Sequence, residues 1–475
     1  MSATAPGYVV AIDNGSQSTK VLIVDGTGVV HASARAALRP YSSPAPGRWE
    51  HPDDDLWDSI VAAVRKAMAE FSGDATEIRG VGLCTIRFCR AVLRADGTLA
   101  QPVMSWMDER LSRAYEREVE DAAYVTTSSG YLGHRLTGER RDAAGNVQGV
   151  WPIDADRWGW SDDADEYARA GMHPSMLFEL VAPGEPLGRL TQRAAELTGL
   201  PAGIPVIATS NDKAVEALGA GLRDEGDALL SLGTYVATMT PGDRPLPKHP
   251  DVWTNFAAEP GAFLYESGGV RRGMWTVSWF RDLLSGADVT ISEEELNRGA
   301  QDVPVGAGGL VAALDWLAPA DEPWRRGALV GFDGTQGRFH IHRAILEALA
   351  IETEAADSRA RRVLGRPRSG LLVTGGGSAS TLMLRILAAV YGVPVRVPLV
   401  HDAAGMGAAI CAAVGTGMHP SWDAAMASMV AVGAEVDVDP EARAAYAEVQ
   451  RTYARVLPRV RKLFEGEEVA PVSAR

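Results

Sequence analysis

Asp13, Gly15, Ser16, Ser18 and Lys20 crowd one short polar stretch, DNGSQSTK, set between two apolar runs. Glycine lets backbone approach an anion, N–H groups and hydroxyls donate hydrogen bonds, and a carboxylate at a strand end can hold a magnesium ion through water. The combination could cradle a phosphate; the plainer alternative is a polar hairpin turn without a ligand. The same grammar returns in DALLSLGTYVATMTPGD from position 227, where Gly233 and Thr234 form the turn. A third cluster, Gly375, Gly376 and Gly377, separates a buried run from an apolar helical one in LLVTGGGSASTLMLRILAAV. A helix N-terminus placed there can face a nucleotide. The chain has neither a GxGxxG fingerprint with its downstream acid nor a GxxxxGK[ST] loop, which disfavours the common nucleotide folds.

The elements that must position these residues follow from composition. Tyr8 to Ile12 and Val21 to Val24 are rich in β-branched residues, and DGTG at 25 to 28 is a turn signal, so the N-terminus predicts a β-meander with a polar first turn. Its recurrence in the second half suggests an internal duplication. A length of 475 residues exceeds what one core usually organises, so two domains are expected. The formal charge of -15 is spread along the chain and offers no basic stripe for nucleic acid. Cys84, Cys89 and Cys411 lack structural-zinc spacing and read as reduced core residues. No apolar run is long enough to span a membrane, and MSATAPGYVV has no signal-peptide pattern, so a cytoplasmic protein is expected.

Nearly the whole chain, in collinear order, resembles the FGGY family of carbohydrate kinases, which are similar to glycerol kinase and xylulokinase and belong to the actin-like ATPase superfamily. AIDNGSQSTK resembles the first phosphate motif, and GVGLCTIRFCRAVLRADGTLAQPVMSWMDER the segment ending in a W-x-D-x-R sugar signature. IPVIATSNDKAVEALGAG resembles the stretch with the catalytic aspartate, SLGTY the second phosphate motif, and VTGGGSASTLMLRILAAVYGVPV the adenosine motif. DAAGMGAAICAAVGTG resembles the closing helix.

The resemblance implies Asp212 as catalytic base, accepting the proton of an attacking hydroxyl; following the strand IPVIAT, it could also be only a helix N-cap. It implies ATP with Mg²⁺, Asp13 as the magnesium carboxylate, and Gly15, Ser16, Ser18 and Lys20 around the terminal phosphates, with a solvated strand position the alternative for Lys20. Gly233 and Thr234 are implied at the β- and γ-phosphates, and Gly376 and Gly377 against adenine and ribose, or in helix packing. On the sugar side it implies Arg87, Trp106 and Asp108 together with Asp212; Arg110 could instead be a surface cation on a charged helix through LSRAYEREVED.

The chain also departs from the pattern. Ile86, Arg87 and Phe88 stand where xylulokinase-like members carry Gln-Met-His and glycerol kinases an Arg-Glu pair, and Phe88 cannot accept a hydroxyl hydrogen bond. Tyr235 follows Thr234 where a small residue is usual, and Ser380 and Thr381 replace an asparagine near adenine. Trp151, Trp158 and Trp160 could face sugar or anchor a structural loop. HPDDDLW reads as a helix start with its acids in the first turn rather than a metal site.

The expected architecture is α/β: two duplicated actin-like, ribonuclease H-like domains, residues 7–222 and 223–466, with the site in the cleft between them. The C-terminal run EARAAYAEVQRTYARVLPRVRKLF is expected as a terminal helix and the tail EGEEVAPVSAR as frayed. The expected function is ATP-dependent phosphorylation of a small sugar or polyol, such as a ketopentose or tetritol. A catalytically silent nucleotide sensor of the same fold is the alternative, which the presence of Asp212 opposes. A small-molecule substrate is the expected partner, with neither nucleic acid nor membrane; a homodimer is left open.

Overall fold

A computed structural model describes residues 7–286, 290–319, 321–400 and 402–466. The tail beyond 466 therefore lies outside the described residues. The first half forms a six-stranded sheet from β1 (Tyr8–Asn14), β2 (Ser18–Asp25), β3 (Val30–Ala37), β4 (Ile78–Thr85), β5 (Pro186–Arg189) and β6 (Pro205–Asn211), in the order β5-β6-β4-β1-β2-β3. The second half forms another from β7 (Asp227–Leu232), β8 (Val236–Gly242), β9 (Val252–Phe256), β10 (Phe263–Ser267), β11 (Gly370–Thr374) and β12 (Val395–Arg396), in the order β9-β10-β8-β7-β11-β12.

The duplication is visible in the pairing. β1 runs antiparallel to β2 and parallel to β4; β7 runs antiparallel to β8 and parallel to β11. β4 is continued in parallel by β6, and β11 by β12. Each sheet thus joins an antiparallel meander to parallel strands, the mixed arrangement of the expected α/β class.

The first hairpin is tighter than the sequence reading. β1 continues through Asp13 and Asn14, and β2 begins at Ser18, so the turn is only Gly15 to Gln17. The polar ends stay in the strands because their side chains find partners beneath α1 (Asp55–Glu70): Asn14 Nδ2 donates to Thr19 Oγ1 at 2.7 Å, and the Thr19 and Ser59 hydroxyls lie 2.6 Å apart. A buried polar group that is hydrogen-bonded need not end a strand. α1 starts within HPDDDLW, as expected, but of the three acids there only Asp55 lies in its first turn, joined by Asp58, while Asp54 sits at the cap position and Asp53 precedes it; the helix buries Leu56, Ile60, Ala63, Val64 and Ala67 at helical spacing.

Another expectation fails. LSRAYEREVED does not continue as a helix; only the short turn Glu109–Ser112 forms. Distant ties act on this segment: Arg110 binds Glu50 as well as the nearby Asp108 and Glu118, Glu118 also pairs with Arg48, and the Tyr115 N–H donates to the Ala170 carbonyl. Tertiary ties outweigh a weak helical propensity.

The remaining helices that matter to the site are α2 (Asp212–Gly219), α3 (Gly273–Leu284), α4 (Arg338–Leu364), α5 (Thr381–Tyr391), α6 (Ala403–Gly415) and α7 (Pro440–Arg461). α7 is the expected terminal helix and buries Tyr446, Tyr453, Leu457 and Val460 against the second core. α6 behaves differently: it returns to the first sheet. A Cβ on Gly82 of β4 would lie 2.1 Å from the Ala408 carbonyl oxygen, and His419 Nε2 reaches the Gly26 carbonyl at 2.7 Å. α6 also crosses α2 with almost no space: a Cβ on Gly219 would meet the Ala403 oxygen at 1.9 Å, and one on Gly407 the Val215 oxygen at 1.9 Å. These two helices form the spine between the sheets, with Leu229, Leu264 and Leu372 of the second sheet in the same core. All three cysteines are free and buried, and among the described residues no helix is long and apolar enough to cross a membrane.

Candidate active site

Asp212 is the first residue of α2, immediately after β6. The cap is Asn211, whose side chain accepts from the Ala214 N–H at 3.2 Å. Asp212 is thereby spared capping, and its Oδ1 is buried without a hydrogen-bond partner among the described residues. Burial pushes its carboxyl pKa upward, opposed by the nearby charges of Arg87 and Lys213 and by the Arg87 backbone N–H. A desolvated carboxylate with a free oxygen at a helix N-terminus is suited to take a proton.

Arg87 is held from the other half of the chain. Its guanidinium makes two bonds to the Glu266 carboxylate of β10, at 2.7 and 3.0 Å, and lies over the rings of Phe88 and Trp253, 5.3 and 5.1 Å from their centroids. Burial works against its charge, but Glu266 more than offsets this and raises its pKa above the ordinary arginine value. Phe88, in the left-handed region at φ 64°, packs tilted by 34° against Trp253, with ring centroids 5.7 Å apart. Beside them Asn211 Nδ2 donates to Asn255 Oδ1 at 2.9 Å, Gln148 Nε2 donates to the same oxygen, and Gln148 Oε1 is buried and unpaired.

The two glycine hairpins belong to opposite sheets, and the charges of this centre reach the residues beside them: Asp212 acts on Asp13, and Tyr235 on Arg87. At the first, the Gly15 N–H donates to the Ser18 carbonyl at 3.1 Å and Ser16 O accepts from Tyr41 Oη at 3.0 Å, while Ser18 is buried. At the second, the carbonyls of Gly233 and Thr234 accept from the N–H groups of Met274 and Gly273 at 3.1 and 2.7 Å, tying the turn to the start of α3. Thr234 is exposed. Tyr235 fits because its ring lies on Gly269, where a Cβ would stand 3.0 Å from it. The third turn runs Gly375 at φ 82°, then a short helical turn Gly376–Ala379, before Ser380 caps α5. A Cβ on Gly376 would meet nothing within 4 Å among the described residues, whereas Gly377 packs on Leu232 and Met274.

Lys20 is not a lone cation: its ammonium sits 3.4 Å from both Asp13 and Asp402, the latter capping α6. Asp13 is 6% exposed, and burial, then the Asp402 charge, push its pKa up to about 7 in spite of Lys20. Asp402 Oδ2 is buried and has no hydrogen-bond partner among the described residues. Two carboxylates share one ammonium, leaving room for further positive charge. This donor set suits Mg²⁺, which keeps most of its waters and takes one or two carboxylates plus phosphate oxygens.

On the sugar side the predicted residues separate. Trp106 is 43% exposed. Asp108 is buried and saturated: it accepts from the N–H groups of Trp49 and Arg110 and from the Arg110 guanidinium. Its visible work is to shape the loop that presents Trp106. Trp160 Nε1 donates to the Phe178 carbonyl at 2.8 Å, and Trp158 packs on Phe256 at 4.4 Å, so both anchor structure. Sequence reasoning did not name Glu266, Trp253 and Asp402, which the fold brings to Arg87 and Lys20. Glu266 had a signal: YESGG repeats the pattern of IDNG, an acid near the end of an apolar strand just before glycine.

Family models for the N-terminal and C-terminal domains of the FGGY family of carbohydrate kinases match residues 8–117 and 111–219, and 228–416, respectively. The chain is 44% identical over 433 residues, 90% of its length and 88% of the relative's, to a protein of Escherichia coli (strain K12) described as the uncharacterized sugar kinase YgcE. It is 26% identical to the glycerol kinase of Ralstonia pickettii (strain 12J), over 87% of this chain and 90% of that one. The crystal structure of xylulose kinase from Rhodospirillum rubrum superposes with a TM-score of 0.82, covering 96% of this chain and 99% of the other, at 24% identity, a likeness of fold.

Proposed function

The chain belongs to the FGGY family of carbohydrate kinases, and on that footing we propose that it transfers the γ-phosphoryl group of ATP to a hydroxyl of a small sugar or polyol, with Asp212 as the base. One observation carries the assignment of the base: Asn211 takes the capping role, leaving Asp212 with a buried, partnerless oxygen beside Arg87. A silent nucleotide sensor would have no use for such a group.

The reading assigns the first half, residues 7–222, to the sugar and the second, 223–466, to the nucleotide, with α6 as the return. The sugar lies against Trp106, Arg87 and the Phe88–Trp253 pair, with its reacting hydroxyl at Asp212 Oδ1. Gly15, Ser16, Ser18 and Lys20 face the terminal phosphates from one side, Gly233 and Thr234 from the other, and Gly376, with no neighbour where a Cβ would stand, admits the nucleoside. Asp13 and Asp402 would be the residues to hold Mg²⁺, which would supply positive charge to the phosphate oxygens. Phosphoryl transfer needs little covalent help from protein, so placing the hydroxyl and excluding water are the main tasks of these residues.

The test is ADP release coupled to a spectroscopic reporter, with ATP and magnesium, across a panel of ketoses, aldoses and polyols, and Asp212→Asn as control. A sugar-dependent rate that collapses in the variant supports the reading. ATP binding without sugar-dependent turnover across the panel would favour the sensor instead.

A further inference from the structure

Lys213 follows Asp212 directly. Its ammonium donates to Glu216 Oε2 at 2.9 Å and to Ser231 Oγ at 2.8 Å. Glu216 Oε1 in turn accepts from Ser231 Oγ at 2.8 Å and from Thr374 Oγ1 at 2.7 Å. Ser231 and Thr374 are register partners on the parallel strands β7 and β11, and each strand runs directly into a glycine turn, Gly233 after one and Gly375 after the other. One acid from the first half therefore grips the ends of both strands that lead to nucleotide turns, and it holds a lysine beside the base.

The Lys213 side chain is 19% exposed and that of Glu216 13%. An ammonium has three donors, and two are used among the described residues. Removing a Lys–Glu pair from water is a poor route to stability, since desolvation offsets most of the attraction. Burial works against the Lys213 charge, but Glu216 and Asp212 outweigh it, so the lysine stays protonated.

We propose that Lys213 is a further catalytic residue of the phosphoryl transfer, its remaining N–H contacting the terminal phosphate of the nucleotide, with Glu216 as the residue that positions it. The proposal rests on the kinase reading. As the sugar oxygen bonds to the γ-phosphorus, the bond from that phosphorus to the bridging oxygen of the β-phosphate breaks. The hydroxyl proton passes to Asp212, the ammonium offsets charge on the transferring group, and ADP and the phosphate ester leave. A fixed cation of this kind acts where charge must be stabilised and needs no reorganisation.

The experiment is calorimetric titration of the full chain with magnesium-ATP and, separately, magnesium-ADP, for the natural protein, Lys213→Met, Lys213→Arg and Glu216→Gln. A contact to the terminal phosphate predicts that Lys213→Met weakens ATP by about tenfold or more while leaving ADP within about twofold, and that Lys213→Arg recovers part of the difference. Glu216→Gln is expected to narrow the ATP-to-ADP ratio by a smaller factor, and kcat of Lys213→Met to fall on the order of 100-fold. Equal weakening of both nucleotides would mean a purely structural lysine, and an unchanged ratio would mean no contact; either overturns the proposal. If Lys213→Met does not fold, the double variant Lys213→Gln with Glu216→Gln, which leaves no unpaired charge, decides by the same ratio. Natural protein that turns over sugar while Lys213→Met keeps its ATP-to-ADP ratio refutes this proposal alone; natural protein without turnover on any sugar refutes the kinase reading.

Discussion

Arg87 and Glu266 lie 179 residues apart in the chain, yet their side chains meet in a two-pronged ion pair, with bonds of 2.7 and 3.0 Å, that joins the first sheet region to the second. Both are well buried, with side chains 13% and 5% exposed. Because Arg87 also approaches Asp212, the pair couples the relative placement of the two halves to the environment of the base.

Removing one partner of such a pair leaves a buried charge uncompensated, a loss of about 3–5 kcal/mol. Glu266→Leu is therefore expected to lower the urea unfolding midpoint strongly, and Arg87→Met with Glu266→Leu to recover much of the loss. An unchanged midpoint in the single variant would mean that the pair does not form in solution.

Asp212→Asn keeps the volume of the side chain and removes its charge. The expected result is a fall in kcat by roughly 10²–10⁴ with little change in the KM for ATP. The same variant should melt at or above the temperature of the natural protein, because a desolvated carboxylate that lacks a partner on Oδ1 is a stability cost. Scanning calorimetry beside the kinetic assay checks both halves of this expectation.

The pH dependence follows from the direction of the same shift. Burial raises the Asp212 pKa above its ordinary 3.8, while Arg87 and Lys213 restrain the rise. The base works only when deprotonated, so kcat/KM falls as pH drops through this raised value. Folding disfavours the carboxylate form, so stability contributed at this site decreases as pH climbs from 3.8 through the raised pKa, and Asp212→Asn should flatten that portion of the curve. Lys213→Gln removes one restraining charge, and its acid limb should move to higher pH.

Much of this arrangement is legible in the sequence because it is local. Strand, small polar turn and strand are contiguous at both hairpins, and Asp212 stands at a boundary between a β-branched run and a helical one. The Arg87–Glu266 pair is not legible, since nothing near Arg87 names a partner 179 positions away. The tripeptide Asn211-Asp212-Lys213 offers two residues able to cap a helix, and only the backbone shows that the asparagine does so. LSRAYEREVED misleads for a related reason: its charges have the spacing of a solvated helix, but one of them, Glu118, joins Glu50 and Asp108 around Arg110 to fix the loop below Trp106.

The return of α6 to the first sheet leads to the last expectation. Gly219 and Gly407 allow α2 and α6 to touch backbone to backbone, and α2 begins with the base while α6 is capped by Asp402, the partner of Lys20. The crossing therefore sets the distance between the base and the cluster around Asp13. A methyl group at 219 would stand 1.9 Å from the Ala403 carbonyl oxygen, a backbone atom that cannot swing aside, so the helices must part. Overpacking of this kind costs about 1–3 kcal/mol, and helical propensity returns only about 1 kcal/mol of it. Gly219→Ala should thus fold with a lowered melting temperature and lose kcat, whereas Gly417→Ala, at a surface turn with open space around it but φ 71°, should lose some stability and keep its kcat. If Gly219→Ala matched the natural protein in both melting temperature and kcat, the close crossing would not be what places the base.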